Sequence, residues 1–451
     1  MPALDEIVKA YDIRGVVPDQ LDARIAHALG VAFADFAAAP QVLVARDMRP
    51  SGVELVEAFT DGVLGQGVDV VDLGLASSDL LYFASGVLDR PGAMFTASHN
   101  PAEYNGAKLC LARARPLGIG AGFEEIKGVT RAVLDGRGPA PAVQRGRRTT
   151  QDLLERFVDH VVSFIDPDQV RPMRVVADTA NGMGGLVVPA VFARLPTVEL
   201  EVLYGELDGT FPNHPADPLQ PANQRDVRAR VIAGSFDVGL AFDGDADRVF
   251  VVDEVGSGLS GSTTTALLAV GVLRDHPGAT ILYNLICSRT VPEVIREHGG
   301  VPVRTRVGHS FIKQEMLRTG AVFGGEHSAH YYFARNFRAD SGLIATVLLL
   351  AELSRAEQPL SVLRKPYERY VSSGEINTQV ADPLDVIARI DAHYADCRRD
   401  HLDGLSVDCG SWWFNLRPSN TEPLLRLNLE AETGDECHDR VAEVLGLVTS
   451  A

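Results

Sequence analysis

Three aspartates alternate in the run Phe242-Asp243-Gly244-Asp245-Ala246-Asp247-Arg248, between the apolar segments Val238–Phe242 and Val249–Val252. Like charges at this spacing repel unless a cation lies among them. Carboxylate oxygens held between two strands suit a hard divalent ion of the Mg2+ type. Counted from Asp243, the run also fits a calcium loop at its first, third and fifth positions, with Glu254 at the twelfth. Arg248 stands at the sixth, where that loop needs glycine for its turn, and a strand-like run follows, so the calcium loop is rejected.

Three further loops carry chemistry. Thr96-Ala97-Ser98-His99-Asn100-Pro101 precedes Asn105-Gly106-Ala107-Lys108. A serine in a loop of small residues at a strand end can act as nucleophile or phosphoryl carrier, with His99 and Lys108 supplying proton transfer or charge. The loop lacks the Gly-x-Ser-x-Gly pattern of a serine-hydrolase elbow. In Gly324-Gly325-Glu326-His327-Ser328-Ala329-His330, Glu326 and Ser328 point the same way from an extended loop and can bind adjacent sugar hydroxyls. His330 there is a candidate acid or base. Arg417-Pro418-Ser419-Asn420-Thr421-Glu422-Pro423 offers a guanidinium fork, hydroxyls and an amide to a phosphate dianion. Arg14, in Tyr11-Asp12-Ile13-Arg14-Gly15, and His309, in Val307 to Lys313, are lesser candidates. Taken singly, each of these loops reads equally well as a polar turn. Asn181-Gly182-Met183-Gly184-Gly185 lacks the third glycine of a dinucleotide loop, and neither a Walker A sequence nor zinc-ligand spacing is present.

The elements that must hold these loops are legible as short Val-rich runs, such as Val42–Ala45, Val68–Val71, Arg174–Ala177, Leu200–Tyr204 and Ile281–Tyr283. They alternate with helix-periodic segments such as Gln151–Ile165 and Ser341–Arg355, which predicts α/β architecture with mostly parallel pairing. Gly92–Phe95, Val238–Phe242 and Phe323 each lead into one of the polar loops, a weak internal repeat. Ligands of open α/β sheets bind at strand carboxyl ends, so the three loops are expected to face one cleft. Boundaries are expected near residues 135–148, 256–261 and 367–374.

The chain has 451 residues and a net charge of −18, with no basic block. That argues against nucleic acid or an anionic membrane as the main partner, and no apolar stretch is long enough to span a bilayer. Five dispersed cysteines and an N-terminus without a signal-peptide pattern predict free thiols in a cytoplasmic protein.

The serine loop, aspartate run, Gly-Glu-His-Ser-Ala-His segment and Arg-Pro-Ser-Asn-Thr-Glu-Pro loop, in this order, resemble the α-D-phosphohexomutase family, within it the phosphomannomutase/phosphoglucomutase branch. The resemblance implies three similar mixed-sheet α/β domains (1–148, 149–255, 256–367) and a smaller C-terminal α+β domain (368–451) around a central cleft. It implies a phosphoserine at Ser98, with Asp243, Asp245 and Asp247 holding Mg2+ together with a phosphoryl oxygen of that serine. Glu326 and Ser328 would bind sugar hydroxyls. Arg417, Ser419, Asn420 and Thr421 would bind the non-reacting phosphate. Tyr11, Arg14, Lys108, Arg248, His309 and His330 would surround the reacting groups. The implied reaction interconverts mannose 6-phosphate and mannose 1-phosphate, with glucose phosphates as further substrates, through a hexose 1,6-bisphosphate. Phosphoglucosamine mutase is the nearest alternative, and a Mg2+-dependent phosphatase using the same groups is a more distant one. Oligomeric state, monomer or dimer, is left open. Ala246 and Ala329 replace glycines of relatives, and Ile286 stands near a position where many relatives carry lysine, whose role is not transferred.

Overall fold

The computed structural model describes residues 3–9, 12–118, 122–418 and 424–449. Four sheets form in chain order. The strand Val238–Phe242 is buried at every position, as a continuous apolar run between covering layers should be. It pairs in parallel with Met173–Asp178 and in antiparallel fashion with Val249–Asp253, which places the aspartates in the connecting turn.

The same unit occurs in all three α/β domains. Gly92–Phe95 lies parallel to Gln41–Arg46 and is followed by the antiparallel return strand Tyr104–Leu111. Phe323–Gly325 lies parallel to Thr280–Asn284 and returns as Tyr331–Phe333. Each site loop thus leaves the carboxyl end of a parallel strand and enters an antiparallel neighbour. The weak sequence repeat was the trace of this unit.

The C-terminal sheet is antiparallel, in the order Val371–Gln379, Leu424–Ala431, Trp412–Pro418, Leu405–Asp408, Arg398–Asp400. One apolar cluster runs from Leu43 through Val175 and Val238 to Leu350 and joins the first three domains. The C-terminal domain has its own core around Leu405, Phe414, Leu427 and Val444. Polar contacts attach it to the third: Arg289 reaches Asp408 at 2.5 Å, Arg304 pairs with Asp400, and the Val307 amide donates to Asp403 at 3.2 Å. A polar attachment of this kind resists rotation far less than a shared apolar core.

The periodic segments fold as helices Leu154–Val162 and Gly342–Ala356, the second capped by Ser341 accepting from the Ile344 amide at 3.2 Å. No described helix is long and apolar enough to cross a membrane. The expectation of five free thiols is corrected: Cys397 and Cys409 are disulfide-bonded, while Cys110, Cys287 and Cys437 are free and buried. The pair is separated by 12 residues in sequence but flanks the cross-strand partners Arg398 and Asp408, so the hairpin brings the two sulfurs together.

Candidate active site

Ser98 sits in the loop after Gly92–Phe95, is 3% exposed, and adopts the left-handed region at φ 50°. Its amide donates to Thr96 Oγ1 at 2.9 Å. Its hydroxyl crosses to the second domain and donates to Asp243 Oδ2 at 2.8 Å, while Arg248 Nη2 approaches it at 3.3 Å. There is no room for a side chain at Gly244, where a Cβ would lie 2.4 Å from the Ser98 carbonyl oxygen. The serine and aspartate loops are therefore in direct contact although 145 residues separate Ser98 from Asp243.

Asp243, Asp245 and Asp247 are each at most 1% exposed, and one carboxylate oxygen from each lies within 4.8 Å of the others. Internal cations offset part of this charge. Arg248 Nε donates to Asp243 at 2.8 Å, and Lys108 Nζ donates to both Asp245 and Asp247 at 2.6 Å. Burial, only partly countered by Arg248, pushes the Asp243 carboxyl up to about 7. Burial acts the same way on Asp245, but Lys108 and Ser78 outweigh it and hold that carboxyl below its ordinary value. Burial disfavours the Lys108 ammonium, yet the two aspartates hold its pKa well above the usual lysine value. Asp245 Oδ1 and Asp247 Oδ1 are buried without a hydrogen-bond partner. Buried carboxylate oxygens normally have donors, so this pair of orphaned acceptors fits a site built for a cation.

The third domain adds His330, whose Nδ1 lies 2.8 Å from Asp340 Oδ2 and 3.8 Å from Asp247 Oδ1. Burial opposes the imidazolium, but Asp247 and Asp340 raise its pKa above the ordinary histidine value. Lys313 pairs with Asp340 at 3.1 Å and lies over the Tyr82 ring at 3.6 Å. His309 opens the helix His309–Thr319, and burial with nearby Lys313 keeps its pKa well below the usual value. Arg14 lies on the strand Ile13–Val16 and reaches the serine loop through Asn100 Oδ1 at 2.5 Å.

Other expected residues take different settings. Glu326 is 1% exposed and accepts from Asn284, the Gly308 amide and Tyr332 at 3.1, 3.1 and 2.7 Å. In this conformation it organises its own loop. Ser328 beside it is half-buried. Arg417 lies at the end of Trp412–Pro418 and donates to Glu375 at 2.9 Å. Tyr11, Ser419, Asn420 and Thr421 lie outside the described residues. Ala246 and Ala329 occupy φ values of 60° and 64°, so each costs about 1 kcal/mol relative to a residue suited to that region. Ile286 is buried at 9% exposure.

Three contributors escaped sequence reasoning. Ser78 donates to Asp245 Oδ2 at 2.5 Å, but Ser77-Ser78-Asp79 reads as a helix start. Asp340 reads as part of the cap before Gly342–Ala356. Arg49 closes Arg46-Asp47-Met48-Arg49, a charged cluster directly after a buried strand, which was a usable signal.

Asp79 is fully buried between Ser77 and Ser341, and burial pushes its carboxyl up to about 7. The folded protein thus keeps a proton that the unfolded chain loses near 4, so stability should fall as pH rises between these values. Asp79→Asn is expected to flatten that fall, by about 3 kcal/mol across the window. Urea unfolding at about pH 5 and about pH 8 measures it; an unchanged pH slope would contradict the assignment.

A buried serine, a carboxylate cluster able to hold a cation, and converging Arg, Lys and His side chains from three domains suit the chemistry of phosphoryl transfer. Models of the four domains of phosphoglucomutase/phosphomannomutase match the chain: α/β/α domain I over residues 5–128, domain II over 155–256, domain III over 260–370 and the C-terminal domain over 375–447. The chain belongs to the phosphoglucomutase/phosphomannomutase family and is a phosphohexomutase. It is 37% identical to a phosphomannomutase of Salmonella montevideo, over 98% of both chains. It is 38% identical to a protein named phosphohexose mutases from Xanthomonas campestris pv. campestris, over 94% of both. A phosphoglucomutase/phosphomannomutase family protein from Burkholderia thailandensis superposes with a TM-score of 0.90 at 33% identity, over 99% of this chain and 98% of that one. An N-acetylphosphoglucosamine mutase of Aspergillus fumigatus, solved with GlcNAc-6P and magnesium, shares the fold at a TM-score of 0.64 and 14% identity.

Proposed function

We propose that this enzyme interconverts mannose 6-phosphate and mannose 1-phosphate, and glucose phosphates as a second pair, through a phosphoserine at Ser98 and a hexose 1,6-bisphosphate. The observation that carries the reading is the Ser98 hydroxyl, 2.8 Å from Asp243 and within reach of Arg248. Relatives named phosphomannomutase at about 37% identity support mannose as the sugar. The domains are assigned as 1–148, 149–255, 256–367 and 368–451.

In the first half-reaction the bond from phosphorus to Ser98 Oγ breaks, and phosphorus bonds to the free sugar hydroxyl, which gives up its proton. The bisphosphate turns over. Its other phosphoryl returns to Ser98, and the sugar oxygen left behind regains a proton. Asp243, Asp245 and Asp247 would hold Mg2+, which when bound supplies charge neutralisation to the transferring group. Arg248 supplies further positive charge beside Ser98 Oγ. His330 is the better placed proton carrier, because Asp340 engages Nδ1 and so fixes the ring for transfer at Nε2. Lys108, held between two aspartates, supplies charge first and is the second candidate base. Arg417, with Ser419, Asn420 and Thr421, would bind the phosphate that stays on the sugar, while Tyr11, Arg14, His309, Glu326 and Ser328 complete the substrate's surroundings. The polar attachment of the C-terminal domain would let the phosphate loop follow either substrate orientation.

The test is phosphorus NMR of the enzyme with Mg2+ and a trace of glucose 1,6-bisphosphate, given mannose 6-phosphate, glucose 6-phosphate or glucosamine 6-phosphate in turn. Mannose 1-phosphate is expected to form fastest. Preference for glucosamine phosphate would overturn the sugar assignment, and release of inorganic phosphate would replace the mutase reading by a phosphatase.

A further inference from the structure

We propose that Arg49 is the positioning residue of the nucleophile loop, acting through the loop's backbone carbonyls and joining that loop to the second domain. The inference rests on the reading of Ser98 as phosphoryl carrier. Arg49 is 0% exposed and follows the strand Gln41–Arg46, the parallel neighbour of Gly92–Phe95. Nη2 donates to the carbonyls of Ser98 and Asn100 at 2.9 and 2.6 Å. Nη1 donates to those of Pro101 and Tyr104 at 2.6 and 2.9 Å, and Nε donates to Asp47 at 3.2 Å. All five N–H donors of the guanidinium are therefore used, three of them on the loop and one on the first residue of its return strand.

The consequence is geometric. Four carbonyl dipoles turn inward onto one planar cation, so the loop closes around Arg49. Ser98 is held in the left-handed region that a serine rarely adopts, with its carbonyl tied to Arg49 and its hydroxyl facing Asp243. Asp47 fixes the fork in turn: its carboxylate accepts from the Arg49 amide at 3.0 Å, and its amide donates to the Phe95 carbonyl at 2.9 Å. The second domain seats on the other side. The guanidinium lies 5.1 Å from the centre of the Phe211 ring, and a Cβ at Gly209 would lie 2.5 Å from Arg49 Cα. The domain that carries the aspartates thus bears directly on the residue that sets the serine. A lysine would keep the charge, but a single ammonium with three donors cannot serve four carbonyls spread around a plane.

The test uses Arg49→Lys and, independently, Gly209→Ala. Each is measured by the rate at which glucose 1,6-bisphosphate phosphorylates Ser98, read by intact mass and peptide mapping, and by steady-state turnover of hexose phosphate. The parent enzyme must gain one phosphoryl group on Ser98; if it does not, the carrier reading fails whatever the variants do. With the parent labelled, both variants are expected to lose about tenfold to a hundredfold in phosphorylation rate and kcat, with KM changed less than about threefold. That split separates positioning from general damage, because a partly unfolded preparation would lose activity only in proportion to its folded fraction by circular dichroism. Rates within about twofold of the parent, or losses that merely track the folded fraction, overturn the inference. Should Arg49→Lys not fold, Gly209→Ala decides by the same criteria.

Discussion

Replacement of Ser98 by alanine is expected to lower hexose phosphate turnover by a factor on the order of 10⁴ or more, and added glucose 1,6-bisphosphate should not rescue it. The size follows from the role. In the proposed mechanism, loss of Oγ leaves the phosphoryl group no resting place on the protein and uncouples the two half-reactions. The fold should survive, since the loop is held mainly by carbonyls bonded to Arg49 and by the Ser98 amide on Thr96, none of which involves the hydroxyl. Asp243 loses one donor but retains Arg248 at 2.8 Å. A thermal melt close to the parent's alongside near-total loss of turnover is the expected pair of results. Activity within an order of magnitude of the parent would remove Ser98 from the mechanism.

Asp245→Asn is expected to show the second largest effect, a loss of turnover on the order of a thousandfold together with loss of Mg2+-induced stabilisation. Asp245 faces Lys108 at 2.6 Å and Ser78 at 2.5 Å, and its other oxygen is buried without a partner. An amide there removes one negative charge and leaves the Lys108 ammonium with Asp247 alone. In the parent, Mg2+ at about a hundredfold excess over its dissociation constant should stabilise the fold by about 2.7 kcal/mol. In Asp245→Asn the same concentration should leave the melting curve almost unmoved. Equal Mg2+ stabilisation in both proteins would place the ion elsewhere.

Much of this site could be read from the chain because its loops interrupt buried strands. Asp243, Asp245 and Asp247 follow a run buried at every position, and Ser98 follows another. One such loop alone reads equally well as a polar turn, but several after buried strands of one α/β protein point to a shared site at the strand ends. The less legible residues act through contacts distant in sequence. Arg49 reaches a loop about fifty residues on, and Ser78 meets Asp245 only because two domains pack together. Asp340 was masked by Ser341, whose capping role explains the local sequence without a site. Composition misled for the cysteines, because dispersed positions do not show that Cys397 and Cys409 flank a cross-strand pair. Glu326 shows a different limit. Spacing placed it beside Ser328, but only the fold shows its carboxylate already receiving three protein donors.

In the proposed reaction one phosphoryl group passes between Ser98 and the sugar without reaching water. Enzyme carrying isotopically labelled phosphate on Ser98 can be mixed with unlabelled mannose 6-phosphate and Mg2+ and sampled through the first turnovers. The label is predicted to leave Ser98 and appear in hexose 1,6-bisphosphate, then in mannose 1-phosphate, with unlabelled phosphate taking its place on the serine. Label retained on Ser98 while mannose 1-phosphate accumulates, or label released as inorganic phosphate, would contradict phosphoryl transfer through Ser98.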